Sequence, residues 1–403
     1  MKQLSALERA LTEGIDLGAM LAVTERWTAI NSGTGNVAGL ARQAAELADA
    51  FAALPGEVHL RQPTAVKSVD AAGREIEQEH GRHLLLRVRP DARRRLLLTG
   101  HMDTVYPADH PFQSGTWRDA DTFNAPGAAD MKGGLAVILH ALLAFESSDA
   151  ARTAGYDVMI NSDEETGSLS SAALIAELAR GMAAALTYEP SALPDGTLAH
   201  SRGGSGNYSL VVQGRAAHAG RNPQEGRNAV VAAAALALEL KALECADLTV
   251  NPARIDGGSA NNVVPDHAIL RFNIRPKTTE AAETFQRSLA ALIGTVEADQ
   301  QVSIGLHGGI TRPPKPVDAR AQKLFDLVAE TSAALGRPLG WQASGGVCDG
   351  NNIAACGVPV VDTMGVRGGA IHSPDEYLIV SSLAERAALS AVVLCRLASG
   401  AEL

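Results

Sequence analysis

Short apolar runs in this chain keep ending in an acidic residue or a histidine. RRLLLTGHMDTV places His101 and Asp103 just past a run of leucines, VMINSDEETGS places Asp163, Glu164 and Glu165 past another, and ALTYEP closes on Glu189. Runs this short and this rich in Leu, Val and Ile read as strands. Helical spacing fills the gaps, at Lys132–Phe145 and Ser168–Arg180. Strand–helix alternation predicts an α/β layer with a largely parallel sheet. In open sheets of that kind, ligands bind beyond the C-terminal ends of the strands. Ahead of these runs, two helices are expected before residue 55, carried by Leu17, Met20, Leu21, Val23 and Trp27 and then by 37–51, with INSGTGN (30–36) breaking them. HLLLRVRP adds a strand, and residues 103–130, rich in Pro, Asp and Gly, read as a long loop.

The pattern changes near Gly203. SGNYSLVVQG (205–214) alternates apolar and polar residues, as an antiparallel strand with one solvated face does. A helix at Gly226–Leu243, strands at 248–254 and 266–275, a helix at Thr279–Ile293 and a strand at 301–306 follow. PPKP (313–316) marks a linker. Beyond it the earlier pattern resumes at Ala319–Leu335 and VPVVDTMG (358–365), and a helix over Ser381–Ala398 ends the chain. The expected organisation is a discontinuous α/β domain over 1–202 and 314–403, with a small α+β domain, 203–313, inserted into it.

Composition removes several classes of function. The chain has 403 residues and 35 Lys+Arg against 45 Asp+Glu, a net charge of -10 with 4% aromatics. That excludes a phosphate-binding basic surface and a base-stacking platform, so no nucleic acid is expected as a partner. Cys245, Cys348, Cys356 and Cys395 form no CxxC pair, which suggests reduced thiols in a cytoplasmic protein. The opening MKQLSALERALTEG has no apolar core of a secretory signal. AVVAAAALALEL (229–240) comes nearest to a membrane span and is too short for one, so no membrane partner is expected.

The strand-end residues can do chemistry. Asp130 in GAADMKGG and His372 in GGAIHSPDEY join His101, Glu165 and Glu189. Each alone is more often a turn residue, a cap or a solvated side chain, and adjacent Glu164 and Glu165 would suit a helix start. Five such groups at one sheet edge make a ligand set instead. Imidazole and carboxylate without thiolate suit Zn²⁺, Mn²⁺ or Co²⁺, and two His with three carboxylates can hold two ions if one carboxylate bridges.

GHMDTV, GAADMKGG, SDEETGS, YEP, AHAG, NNVVP, GGVCDGN and IHSPDEY occur in that order along nearly the whole chain. With them the chain resembles the aminoacylase/carboxypeptidase family of co-catalytic zinc hydrolases, and within it is most similar to the glutamate carboxypeptidase (carboxypeptidase G-like) members. The resemblance implies a zinc-peptidase-like α/β/α catalytic domain with an inserted ferredoxin-like lid and dimerisation domain. It implies two Zn²⁺, with Co²⁺ or Mn²⁺ as substitutes. His101 and Glu189 would hold one ion, His372 and Glu165 the other, and Asp130 both. Asp103 would hydrogen-bond the His101 imidazole, and Glu164 would be the general base. A cis peptide is implied at Asp130–Met131. His218 would donate to the oxyanion from the other subunit of a homodimer. Asn262 and Arg275 would bind a substrate carboxylate, with Arg312 a further candidate and Gly346 in the substrate loop. The implied substrates are N-acyl amino acids or small peptides, with C-terminal glutamate or a similar residue released. An acetylornithine deacetylase-like deacylase or desuccinylase and a dipeptidase are alternatives of the same chemistry. A catalytically silent binding protein on this fold is the alternative of another class, and the intact ligand set and Glu164 argue against it. Two departures stand out. Cys348 replaces the usual Ser or Thr of its motif, and Ser191–Thr197 lacks the Lys that glutamate-releasing members often carry there.

Overall fold

The computed structural model describes residues 3–403 and divides into two compact units. The first takes the chain up to Thr64, then Glu79–Ser201 and Val317–Leu403; the second takes Ala65–Gln78 and Arg202–Pro316.

A six-stranded sheet organises the first unit, in the order Glu57–Arg61, His83–Val88, Gly155–Asn161, Arg95–His101, Ala184–Thr187 and Val360–Val361. The last four run parallel, while the first two pair antiparallel on one side. Alternate residues of each strand enter different cores, as a period of two requires. Leu96, Leu98, Val158 and Leu186 join one core with helices Gly133–Glu146 and Ser381–Ala398, while Leu97, Met159 and Ala185 join another with helix Ala172–Ala179 and Ile353. The sheet is covered on both faces, which explains why its strands read as continuous apolar runs. One polar intruder, Asp157, is fully buried mid-strand and is met by Arg95 and, at 3.5 Å, by Arg87.

Helix Gly133–Glu146 comes unusually close to the sheet. A Cβ at Gly134 would lie 2.2 Å from the Tyr188 carbonyl oxygen, so only glycine lets the helix start beside the strand end that carries Glu189. The stretch Ala128–Glu146 is, among the described residues, long and apolar enough to cross a membrane by length and composition. The sequence pointed to 229–240 instead. As 83% of this stretch is buried inside the protein, it is a core helix. Residues 103–130, expected as loop, contribute Thr116–Trp117 and Thr122–Asn124 to a small sheet with Gly368–Gly369 and Tyr377–Ile379.

The second unit has an antiparallel sheet ordered Leu248–Gly257, His267–Pro276, Ser205–Gln213 and Ser303–Arg312. Helices Ala229–Ala242 and Thr279–Gln300 share a core with it through Tyr208, Leu210, Leu236, Phe272 and Phe285. The chain order β-α-β-β-α-β is ferredoxin-like. A hairpin, Val66–Val69 with Glu75–Gln78, belongs to this unit although it departs from the chain far upstream. Arg271 donates to the carbonyls of Val69 (3.0 Å) and Asp70 (2.9 Å), holding the hairpin against the sheet face that the helices leave open.

Candidate active site

Three adjacent parallel strands end at the same sheet edge, and each delivers a ligand candidate. His101 is the last residue of its strand, Glu164 and Glu165 follow Asn161 in a short 3-10 turn, and Glu189 lies just past Thr187. Asp130 sits in the turn before helix Gly133–Glu146, and its peptide to Met131 is cis. His372 comes from the loop between Gly369 and Tyr377, with a φ of 62°.

These side chains converge. Asp130 Oδ1 lies 3.1 Å from His101 Nε2, and its Oδ2 lies 3.3 Å from His372 Nε2. His372 Nε2 is also 3.3 Å from Glu165 Oε2, and His101 Nε2 is 3.7 Å from Glu189 Oε2. The ligand atoms of His101, Asp130 and Glu165 lie within 4.8 Å of one another, as do those of His101, Glu164 and Glu189. The His101 side is buried at 1% exposure, whereas the His372 side chain is 52% exposed, so the cluster opens to solvent on one side.

Does this cluster fit metal ions? His101 Nδ1 is 3.0 Å from the Asp103 carbonyl oxygen, an acceptor, so that nitrogen carries the proton. In the neutral ring, Nε2 then presents a lone pair to Asp130 and Glu189, and acceptors facing acceptors need a proton or a metal cation between them. The Glu165 side chain is 6% exposed, yet its Oε1 has no hydrogen-bond partner among the described residues. Charge tells the same story. Burial alone would lower the His101 pKa, but the Glu189 charge and hydrogen bonds to Asp103, Asp130 and Glu189 hold it well above the usual range. Hydrogen bonds to Asp130 and Glu165 push His372 up to about 10. Burial, followed by the Asp130 charge, pushes Glu165 up to about 7. Asp130 falls well below the carboxylate range because its bonds to His101 and His372 outweigh burial. Once those imidazoles give up their protons, neutral imidazole and carboxylate donors in this arrangement fit divalent ions.

Asp103 does more than orient His101. Its carboxylate lies 3.4 Å from His101 Nδ1, farther than its own carbonyl. Its oxygens accept the backbone N–H of Glu164 (3.1 Å) and Glu165 (3.2 Å) and the Thr34 hydroxyl (2.8 Å). The residue therefore staples the Glu164–Glu165 turn to the strand that ends in His101. Beneath that turn, Asp349 accepts from Asn161 Nδ2 (2.8 Å) and the Ser168 hydroxyl (2.6 Å). Asp349 begins the helix after the Gly345–Gly346 loop, where Gly346 N–H donates to the Ser344 hydroxyl at 3.2 Å. Cys348 is buried at that helix start, and its N–H donates to Asn351 Oδ1. It is a packed residue rather than an exposed thiol.

The second unit holds the other candidates. His218 and Asn262 are exposed neighbours. Residues 217–218 pair with Val263–Val264, and Ala219 N–H donates to the Asn262 carbonyl. Arg275 is exposed near the far end of strand His267–Pro276, where its Nε donates to Asn273 Oδ1 at 3.0 Å. Arg312 is buried at the same end of the sheet, opposite Ser205. From His267 to Arg275 is eight residues, or about 26 Å at strand rise. Asn262 precedes that strand, and Arg275 lies near its other end.

Two residues that sequence reasoning missed, Tyr106 and Glu376, lie behind Asp130. Glu376 stands in the quoted IHSPDEY motif beside Asp375, with no periodicity to separate the buried acid from the solvated one. A buried Lys132 completes the shell, donating to the carbonyls of Trp27 (3.0 Å) and Ile30 (2.7 Å).

Residues 97–396 match the model of Peptidase family M20/M25/M40. The chain belongs to this family. It is 30% identical over 393 residues to carboxypeptidase G2 of Pseudomonas sp. (strain RS-16), covering 95% of this chain and 90% of that one. It is 29% identical over 324 residues to a succinyl-diaminopimelate desuccinylase of Xanthomonas campestris pv. campestris (strain 8004), covering 75% of this chain and 83% of the relative. The fold is similar to that of the aminopeptidase PepT from Bacillus cereus, with a TM-score of 0.71, 21% identity and coverage of 95% and 99%. The M20 metallo-carboxypeptidase Sso-CP2 from Sulfolobus solfataricus gives a TM-score of 0.69 at 16% identity, covering 94% of this chain and 99% of that one. The protein is thus an M20-family hydrolase with an α/β catalytic unit, and M20 metallopeptidases are metal-dependent.

Proposed function

We propose that the protein is a dinuclear zinc hydrolase that cleaves an amide next to a free carboxylate and releases C-terminal glutamate or a similar residue from N-acyl amino acids or small peptides. The observation that carries this reading is Asp130, whose two oxygens each face a different imidazole, at 3.1 and 3.3 Å. His101 and Glu189 would hold one ion, His372 and Glu165 the other, and Asp130 both. Bound there, the ions would supply Lewis acidity at the scissile carbonyl and lower the pKa of a water. Glu164 takes a proton from the attacking water and returns it to the leaving amine. Its N–H bond to Asp103 fixes the turn that aims it. Carboxypeptidase G2 among the relatives favours release of an amino acid from the C-terminus.

One observation favours a second reading, an N-acyl-amino-acid deacylase or desuccinylase. Ser191–Thr197 has no Lys for a second carboxylate, and desuccinylases are among the relatives. A hydrolysis screen of N-acyl glutamates, N-succinyl amino acids and dipeptides with Zn²⁺, Mn²⁺ or Co²⁺ decides between them. Faster turnover of N-succinyl substrates would replace the first reading, and no metal-dependent hydrolysis of any amide would defeat both.

A homodimer through the second unit belongs to this proposal. Helix Ala229–Ala242 carries Val231 (51% exposed), Ala234 and Leu238 (74% exposed) on one outward stripe. Self-association would cover that stripe. It would also let His218 and Asn262 of one copy serve a substrate held by Arg275 of the other.

A further inference from the structure

We propose that Glu376 is a positioning residue for the metal centre. It fixes the backbone that carries Asp130 and, through Tyr106, the loop that carries His372, and so sets the gap those two side chains leave for an ion. The proposal rests on the two-metal reading above.

Glu376 is 1% exposed. Its Oε1 accepts the backbone N–H groups of Ala129 and Asp130, both at 3.0 Å. Its Oε2 accepts the Gly127 N–H at 3.1 Å and the Tyr106 hydroxyl at 2.8 Å. One carboxylate thus gathers three N–H groups from the four residues that end on Asp130. The Tyr106 hydroxyl also lies 2.8 Å from the carbonyl of Ser373, the residue after His372. Asn124 holds the same loop from its other side, donating to the carbonyls of Pro374 (3.1 Å) and Glu376 (2.5 Å).

The chemistry of the cradle demands a carboxylate. Four donors meet two oxygens, and an ionised carboxylate is the side chain that only accepts. Glutamine has nearly the same shape but exchanges one oxygen for an NH₂. Whichever way the amide turns, that NH₂ meets either two backbone N–H groups or an N–H and a phenol. Burying a carboxylate near the Asp130 charge is costly, and an apolar side chain would leave three buried N–H groups unpaired. What the carboxylate adds is placement. Loss of such outer partners typically weakens metal binding by about 10–100-fold.

The test compares full-length wild type, Glu376→Gln and Tyr106→Phe in zinc competition against a chromophoric chelator, with kcat and KM measured at limiting and at excess zinc. Glu376→Gln should bind zinc about 10–100-fold more weakly and recover turnover at near-normal KM when zinc is in excess, a rescue that a merely structural lesion would not show. Tyr106→Phe removes one donor and should weaken zinc binding by about 5-fold. Wild-type zinc affinity in Glu376→Gln, or a loss of turnover that excess zinc does not restore, overturns the positioning role alone. If Glu376→Gln does not fold, Tyr106→Phe decides, and unchanged zinc affinity in it overturns the role. A wild-type protein that binds no zinc overturns both this proposal and the two-metal reading.

Discussion

The two units treat their polar residues in opposite ways. In the first, His101, Asp130, Glu165, Glu189 and His372 come from five separate segments and meet within a few ångströms. In the second, His218, Asn262 and Arg275 are exposed, and Asn262 precedes a strand of about 26 Å from His267 to Arg275. Sheet type explains the contrast. Parallel strands all finish at one edge, so residues just past them collect there. Antiparallel strands finish at alternate edges, so residues just past them disperse. The first unit gathers its ligand candidates by itself, whereas the second leaves its candidates apart.

Four substitutions test whether that division of labour is real. Glu164→Gln, in the self-contained cluster, should lower kcat by about 10²–10⁴-fold with metal content unchanged. Near-normal turnover would remove it from the mechanism, and lost metal would make it a ligand. Leu238→Asp, on the outward stripe of the second unit, should weaken self-association by about 3 kcal/mol, roughly 150-fold in dimer affinity. Sedimentation across a concentration series reads the shift, and unchanged association would place the contact elsewhere. Arg275→Ala should cost about 2–3 kcal/mol in kcat/KM, roughly 30–150-fold, on free-acid substrates and much less on the matching amides. Equal losses on both would mean that Arg275 supports the fold and would turn attention to Arg312. The smallest effect belongs to Asn273, which holds Arg275 through Oδ1. Asn273→Ala should cost about 1 kcal/mol, seen as a raised KM for the free acid at constant kcat. A lowered kcat would show that it acts on more than Arg275.

Much of the first unit was legible because its strands are buried on both faces. Leu96, Leu97 and Leu98 serve opposite cores in turn, so the run is apolar throughout and its end is marked where His101 begins the polar stretch. His101, Glu165 and Glu189 were legible for the same reason, whereas Asp130 and His372, in a turn and a loop, stood out only through their motifs. Other features left no such trace. Hairpin strand Glu75–Gln78 is exposed along its whole length, so no apolar rhythm announces it. Strand Ser303–Arg312 runs past the expected end at 306, where Gly308 and Gly309 interrupt the apolar run yet pair with Tyr208 and Asn207 in the ladder. Asp375 and Glu376 are adjacent acids, one with an 82% exposed side chain and the other buried. Only the fold separates them. Asn262 and Arg275 are paired by the family resemblance alone, and the strand His267–Pro276, expected at 266–275, follows one and carries the other.

The second unit is built from two separate departures of the chain, Ala65–Gln78 and Arg202–Pro316. The longer one leaves and returns through a tight backbone clasp, with Arg202 N–H on the Lys315 carbonyl (3.1 Å) and Lys315 N–H on the Arg202 carbonyl (2.9 Å). Seen as genetic text, this unit is therefore not a single movable paragraph. A recombination that exchanged only 202–316 between relatives would leave the old hairpin behind, offering its Val69 and Asp70 carbonyls to a foreign Arg271 position and its Gly73 turn to a foreign His267 position. Chimeras that carry both segments together should express and fold more often than those that carry the long one alone. Drift at the hairpin and at the sheet face it covers is thereby bound together across about two hundred residues of intervening chain.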